Sequence, residues 1–132
     1  METSLGPGWI HVIALGGGTG LLMAVLACFV GLKQRFEIIL WTLLYAAWVL
    51  IVRQLGWTAP FRTILFAGPI AGIVTATVSM ALFDQYKRQN PWYAEQFDKP
   101  KSKLAGGFFG MGVGMGLMYG AIFGGIAWWL AR

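Results

Sequence analysis

The residue types that could support catalysis or metal binding are few and far apart in this chain of 132 residues. His11 is the single histidine, and no second histidine, cysteine or carboxylate stands at helical spacing from it, as a zinc site would require. Cys28 is the single cysteine; it cannot form an intrachain disulfide, and no neighbouring histidine or acid would activate its thiol. The sequence therefore predicts no catalytic residue, metal site or cofactor.

Two further motifs resemble ligand sites but are better interpreted as packing elements. The segment GGGTG, from Gly16 to Gly20, is similar to a phosphate-binding loop, yet it follows no strand and lies in an apolar run. Three methionines at helical spacing, Met111, Met115 and Met118, could ligate a soft metal such as Cu(I). Methionines in this arrangement also fill packed or lipid-facing surfaces, and the chain lacks a polar Met-rich or Cys-rich entry segment.

Composition indicates an all-α, polytopic integral membrane protein. The chain is 58% hydrophobic and 11% charged, against roughly 25% charged residues in an ordinary globular domain. Charged clusters separate four apolar stretches, and each stretch approaches the roughly 20 residues needed to cross a hydrocarbon core. Ionisable residues, which would mark an ion path or a substrate site, are missing from mid-depth. We predict a single four-helix transmembrane domain over residues 1–132, with spans at about 9–32, 36–55, 62–84 and 104–131.

The fourth predicted span carries nine glycines between Gly106 and Gly125. Each glycine costs roughly 1 kcal/mol relative to alanine in a soluble helix. We therefore expect close helix packing that offsets this cost. At about 100° per residue, the glycines form an arc about 200° wide opposite a face of methionines and aromatic residues. One neighbour cannot cover that arc, and the small-residue rows of the first and third spans are its expected partners. The predicted helix-packing positions are Gly16, Gly20, Gly68, Gly72, Gly106, Gly110, Gly112, Gly114, Gly116, Gly120 and Gly124.

The second and third predicted spans have contrasting surfaces. The second contains no glycine and is bulky all round, with Trp41, Tyr45 and Trp48 three or four residues apart, so we expect lipid or the grooves of a partner against it. The third has two rows of small residues and Pro69 inside it. We expect this third helix to kink at the proline and to pack centrally.

The distribution of lysine and arginine predicts the orientation in the membrane. Seven of these residues fall in the first and third loops or beside them, and three fall on the other side. The positive-inside rule then places these two loops in the cytoplasm of a bacterial-type inner membrane or its equivalent, with both termini outside. No cleavable signal peptide is expected, because the first residues lack a positively charged region. The predicted interfacial anchors are Trp9, Trp57, Trp92, Trp128 and Trp129.

The third loop, residues 84–103, is the largest polar segment of the chain. Asn90 as an N-cap and Pro91 at the first helical position predict a short helix that ends before Pro100 and lies flat on the inner leaflet. Basic side chains in and beside it would attract anionic lipid headgroups. The predicted headgroup contacts are Lys87, Arg88, Lys99, Lys101 and Lys103.

In length and in number of spans the chain resembles the small multidrug-resistance exporters. Those exporters depend on a membrane-embedded glutamate in their first helix, whereas the first span here offers only His11. The resemblance therefore implies neither their transport activity nor their substrates.

Three functions are compatible with this pattern. The first is a non-enzymatic accessory or structural subunit, packed into a larger membrane complex through glycine-rich helix faces. The second is a homo-oligomeric channel or transporter-like protein, although a pore of glycine, methionine and Tyr119 offers no visible source of selectivity. The third is a membrane-embedded enzyme acting on a lipid or quinone through His11, Arg53, Arg62 and the third loop. Expected partners are membrane lipids and other membrane subunits or a second copy, and not nucleic acid.

Overall fold

A computed structural model describes residues 6–31, 33–54, 60–91 and 100–130, and these residues are almost entirely helical. The helices are α1 (Gly6–Phe29), α2 (Gln34–Gln54), α3 (Pro60–Ala81), α4 (Phe83–Gln89) and α5 (Lys101–Leu130). Stretches long and apolar enough to cross a membrane occur in α1, α2, α3 and α5, at Trp9–Phe29, Arg35–Gln54, Phe61–Ala81 and Ser102–Leu130. The prediction of a helical protein with four such segments is confirmed.

A glycine with positive φ ends α1. The amides of Val30 and Gly31 both donate to the carbonyl oxygen of Leu26, at 2.9 Å each. Gly31 has a φ of 86°, a conformation that glycine adopts without the steric cost other residues meet. The chain thereby leaves α1 sharply and reaches the start of α2 within a few residues.

The third membrane helix ends three residues before the end of its predicted span. It ends at Ala81, and after a turn at Leu82 the separate seven-residue helix α4 begins at Phe83. The sequence pattern of residues 62–84 did not indicate this break. Tyr86 of α4 is buried in a cluster with Met23, Ala27 and Cys28 of α1, so α4 folds back against the end of the first helix.

Asn90 ties α4 to α1. Its side chain is fully buried, and its Nδ2 donates to the carbonyl oxygens of Ala27, at 2.8 Å, and Tyr86, at 2.7 Å. Ala27 lies in the last turn of α1, where carbonyl groups have no partner within the helix. Asn90 therefore satisfies an otherwise orphaned backbone acceptor. The short helix predicted to follow Asn90 lies outside the described residues.

Helix α3 occupies the centre of the bundle and separates α1 from α5. It makes its largest interfaces with these two helices. Ala67 and Ala71 lie against α1, while Gly68 and Gly72 lie against α5. Successive residues point about 100° apart, so the two neighbours occupy different sides of α3.

The expected contact between the arc of α5 and the first helix is not an interface of the described residues, where α5 packs mainly on α3 and secondarily on α2. That expectation was wrong for α1. One small-residue row of α3 packs on α1 and the other packs on α5, so α3 lies between these two helices.

The aromatic face of α2 points inward rather than toward lipid. Tyr45 is 1% exposed and Trp48 is 2% exposed, and both belong to the largest buried cluster. The expectation that lipid or a partner would surround this helix is therefore corrected for its aromatic face. Large rings fill the depression that glycine and alanine leave on α3 and α5. The lipid-compatible face of α2 is the opposite one, which carries exposed Ile39, Leu43 and Leu50.

Candidate functional site

A cavity of about 440 Å³ lies among α2, α3 and α5, with α1 and α4 closing part of one end. This volume falls within the range of roughly 300–1,000 Å³ that is typical of small-molecule sites. The cavity is partly open to the surroundings, because its lining includes the exposed residues Gly107 and Met111 of α5. It is the strongest candidate for a binding site in the described part of the chain.

The floor of the cavity is formed by glycines of α3 and α5 that lie backbone to backbone. A Cβ atom added to Gly112 would lie 2.6 Å from the carbonyl oxygen of Gly72, and one added to Gly116 would lie 2.5 Å from the carbonyl carbon of Gly68. Such distances are shorter than real carbon contacts allow, which lie near 3.5–4.0 Å. The absence of side chains here both brings the two helices together and leaves space above them.

Aromatic side chains form the inner wall. The rings of Tyr45 and Tyr119 stack with their centroids 5.2 Å apart and an interplanar angle of 19°. Tyr45 also contacts Trp48, at 4.4 Å between centroids, and Phe123, at 5.6 Å. Trp48 in turn donates from Nε1 to Thr19 Oγ1 of α1 at 2.9 Å. These contacts hold α2 against the other helices at the closed end of the cavity.

The opposite end of the cavity carries two charges. Glu37 is half-buried in the first turn of α2, and Lys103 is exposed in the first turn of α5. Both side chains line the cavity. Trp41, one helical turn after Glu37, is a hydrogen-bonding partner of its carboxylate. No ion pair joins Glu37 to Lys103 within the described residues, so neither charge neutralises the other at the mouth.

The interior of the cavity offers few polar groups. Thr75 Oγ1 lies 3.0 Å from the carbonyl oxygen of Gly20 and 2.8 Å from that of Ala71, so its hydrogen is shared between backbone acceptors. Ser79 is 1% exposed. The remaining interior residues are glycine, methionine, aliphatic and aromatic residues, of which Tyr45, Tyr86 and Tyr119 carry a hydroxyl group. A hydrocarbon group suits such a surface better than a polar solute, which would lose its hydrogen bonds to water.

The predicted packing glycines occupy different surroundings. Gly16 and Gly20 of α1 lie against α3, where an added Cβ would be 2.7 Å from Ala67 O and 2.5 Å from Ala71 O, respectively. Gly120 and Gly124 of α5 lie against the N-terminal part of α3. Glycines without a neighbour within 4 Å of an added Cβ include three predicted positions at a spacing of four, Gly106, Gly110 and Gly114. We call these three the outer glycine row.

The predicted interfacial and headgroup residues are partly described. Trp9, Trp128 and Trp129 are exposed, and the guanidinium of Arg62 lies 5.5 Å from the centroid of the Trp9 ring. Lys87, Arg88 and Lys103 are exposed, the first two on α4 and the third on α5. Positions outside the described residues, or with a side chain that is not described, are Trp57, Trp92, Lys99 and Lys101.

The residues considered first for chemistry do not assemble into a site. His11 is half-buried in α1, and Cys28 is fully buried near the other end of that helix. Within the described residues, no three histidine, cysteine or acidic side chains come close enough to hold a metal ion.

The sequence analysis did not single out Glu37 as a site residue. A signal for it exists in the chain, because Glu37, Trp41 and Tyr45 recur every fourth residue and therefore share one face of α2.

No protein-family model matches this chain, and no curated protein or solved structure is significantly similar to it. Neither fold nor activity can be transferred from a relative. A proposal for the function must therefore be argued from the geometry of the helices.

Proposed function

We propose that the chain is a non-enzymatic accessory subunit of a larger membrane complex, and that it joins this complex through the outer glycine row of α5. The open space at this row is the observation that carries the proposal. Gly106, Gly110 and Gly114 are all exposed, and a Cβ added to any of them would meet nothing within 4 Å. The row is therefore accessible to a helix from another chain.

The energetic cost of the outer glycine row supports an external partner. Each glycine costs roughly 1 kcal/mol relative to alanine in a helix interior. The glycines at Gly112 and Gly116 recover that cost through close contact with α3. No contact within the described residues compensates the outer row. A partner helix lying against it would supply the missing dispersion contacts.

The surroundings of the row indicate the kind of partner. Leu117 and Met118 lie just beyond it and are 45% and 47% exposed. Together they give α5 a flat surface followed by bulky apolar side chains. A membrane-spanning helix with its own small-residue row fits this surface, because two flat backbones can approach while apolar side chains pack at the end.

The same row also suits a second copy of this chain, since a spacing of four matches the symmetric small-xxx-small pattern. A homo-oligomer is thus the second candidate. The two candidates differ in mass, because a homo-oligomer contains only multiples of the 14.5 kDa chain, whereas a complex with another subunit contains a second component.

For orientation, we propose cytoplasmic first and third loops and external termini. The basic residues in and beside these two loops support this arrangement by the positive-inside rule. Those described at this end of the helices are Lys33, Arg35, Lys87, Arg88 and Lys103.

The deciding experiment compares Gly110→Leu with Gly18→Leu. Both glycines are exposed and have open space at Cβ, but Gly18 lies on α1, away from the outer glycine row. The chain is purified from its native membrane in mild detergent, and the mass of the complex is measured. We expect a partner subunit with the wild type and with Gly18→Leu, and its loss with Gly110→Leu. A wild-type chain that is only monomeric, or a Gly110→Leu chain that keeps its partner, would contradict the proposal.

A further inference from the structure

We propose that the cavity among α2, α3 and α5 holds one acyl chain of a zwitterionic phospholipid, with its headgroup between Glu37 and Lys103. The three glycines of the outer glycine row do not line the cavity, so this site is tested separately from the proposed subunit function. Its length, its lining and its charges each point to this ligand.

The length of the cavity matches one leaflet of a bilayer. Along α3 the lining extends from Ser79 to Gly68, a distance of about 16 Å at 1.5 Å per residue. The hydrocarbon core of a bilayer is about 30 Å thick, so one leaflet contributes about 15 Å. An acyl chain entering beside Glu37 would thus end near the stacked rings of Tyr45 and Tyr119.

The lining and the opening suit a hydrocarbon chain that arrives from the bilayer. Met111 is 66% exposed and lines the cavity, so the cavity reaches the outer surface of α5 at the depth of the membrane. Its glycine floor is flat, and its wall is aromatic. The hydroxyl of Thr75 donates to backbone carbonyls, so Thr75 requires no polar group from a ligand.

The charges at the mouth select the headgroup. A phosphate attracts the ammonium of Lys103, and the ammonium of an ethanolamine or choline headgroup attracts the carboxylate of Glu37. Because these two side chains form no ion pair with each other, a zwitterionic headgroup can bridge them. An anionic lipid such as phosphatidylglycerol satisfies Lys103 but brings no cation to Glu37.

The headgroup preference is tested with two lipids of identical acyl chains, phosphatidylethanolamine and phosphatidylglycerol. Each is titrated onto delipidated protein in mild detergent, and native mass spectrometry counts the bound lipids. We expect one saturable phosphatidylethanolamine per chain, bound about fivefold more tightly than phosphatidylglycerol. Glu37→Gln should remove the preference. Asp84→Asn, at an exposed carboxylate on α4 that does not line the cavity, should retain it.

The location of the acyl chain is tested by filling the cavity. Gly107 lines it, and a Cβ added there would meet nothing within 4 Å, so Gly107→Leu places a side chain in the space without a collision. The affinity of the chain for phosphatidylethanolamine should fall by about tenfold or more. Gly110→Leu and Gly18→Leu should bind the lipid normally, because neither glycine lines the cavity. Helical content, measured by circular dichroism, should be unchanged in all three.

The outcomes separate the two proposals. Loss of lipid with Gly107→Leu and loss of the partner with Gly110→Leu would support both independently. Non-saturable binding, equal affinity of the wild type for the two lipids, or unchanged lipid binding by Gly107→Leu would each overturn the lipid site while leaving the subunit proposal to its own test.

Discussion

Replacing Gly20 with alanine tests whether the contact between α1 and α3 depends on the absence of a side chain. A Cβ at this position would lie 2.5 Å from Ala71 O and 2.8 Å from Val74 Cβ. Neither obstacle is the end of a flexible side chain, so the two helices must move apart. Gly18, two residues earlier on the same helix, has open space at Cβ and provides the matched control.

The geometry sets the size of the effect. Restoring an ordinary carbon contact of about 3.5–4.0 Å requires the helices to separate by about 1 Å at Val74. The hydrogen bond from Thr75 to the carbonyl of Gly20, now 3.0 Å long, would then exceed hydrogen-bonding distance. Overpacking costs about 1–3 kcal/mol, and an interhelical hydrogen bond in a membrane contributes about 0.6 kcal/mol. Alanine returns about 1 kcal/mol of helix propensity, which leaves a net loss of about 0.6–2.6 kcal/mol.

Equilibrium unfolding in mixed micelles of mild detergent and dodecyl sulfate measures this loss, with tryptophan fluorescence as the signal. Gly20→Ala should lower the free energy of unfolding, whereas Gly18→Ala should leave it unchanged or raise it by up to about 1 kcal/mol through helix propensity alone. Equal free energies for the two variants would refute the close approach of α1 and α3 at Gly20.

Two further changes test the end of α1 and the orientation of the chain. Asn90→Asp keeps the shape of the side chain but removes both hydrogen-bond donors to Ala27 and Tyr86, so the same unfolding measurement should show a loss of about 1–3 kcal/mol; the neighbouring Gln89→Glu is the control, and a similar loss there would show that charge rather than lost bonding is responsible. In intact bacterial cells, a membrane-impermeant maleimide should label Arg53→Cys but not Lys87→Cys, since both sites are exposed but are expected on opposite sides of the membrane. The reverse labelling pattern would invert the proposed topology.

The sequence was sufficient for the membrane helices because their signal is local. Twenty or so apolar residues between charged clusters identify a span whatever its neighbours are. The break after Ala81 was missed because Leu82 and Phe83 are as apolar as the helix before them. Hydropathy does not register a change of chain direction between two apolar residues. After that turn, Tyr86 packs against α1 and Asn90 donates a hydrogen bond to it.

The neighbours of each helix were harder to predict, because they depend on how surfaces combine. The small residues of α3 and α5 are evident in the sequence. The sequence does not show which large side chain fills the depression that they leave. Tyr45 and Trp48 belong to a helix that is apolar on every side, so periodicity did not distinguish their face from the face of Leu43. The cavity likewise requires three helices at once, and Glu37 and Lys103 share its lining only because α2 and α5 lie side by side.

The glycines of α5 lie on different faces of the helix, and the surroundings of each face differ. Gly112 and Gly116 must lack a side chain because the backbone of α3 occupies that position. Gly107 needs no glycine for packing, but a larger residue there would take space from the cavity. Neither reason applies to Gly110, which is exposed and contacts nothing at Cβ. Alanine there would favour the helix by roughly 1 kcal/mol, and the contact with another chain that we propose would offset this cost.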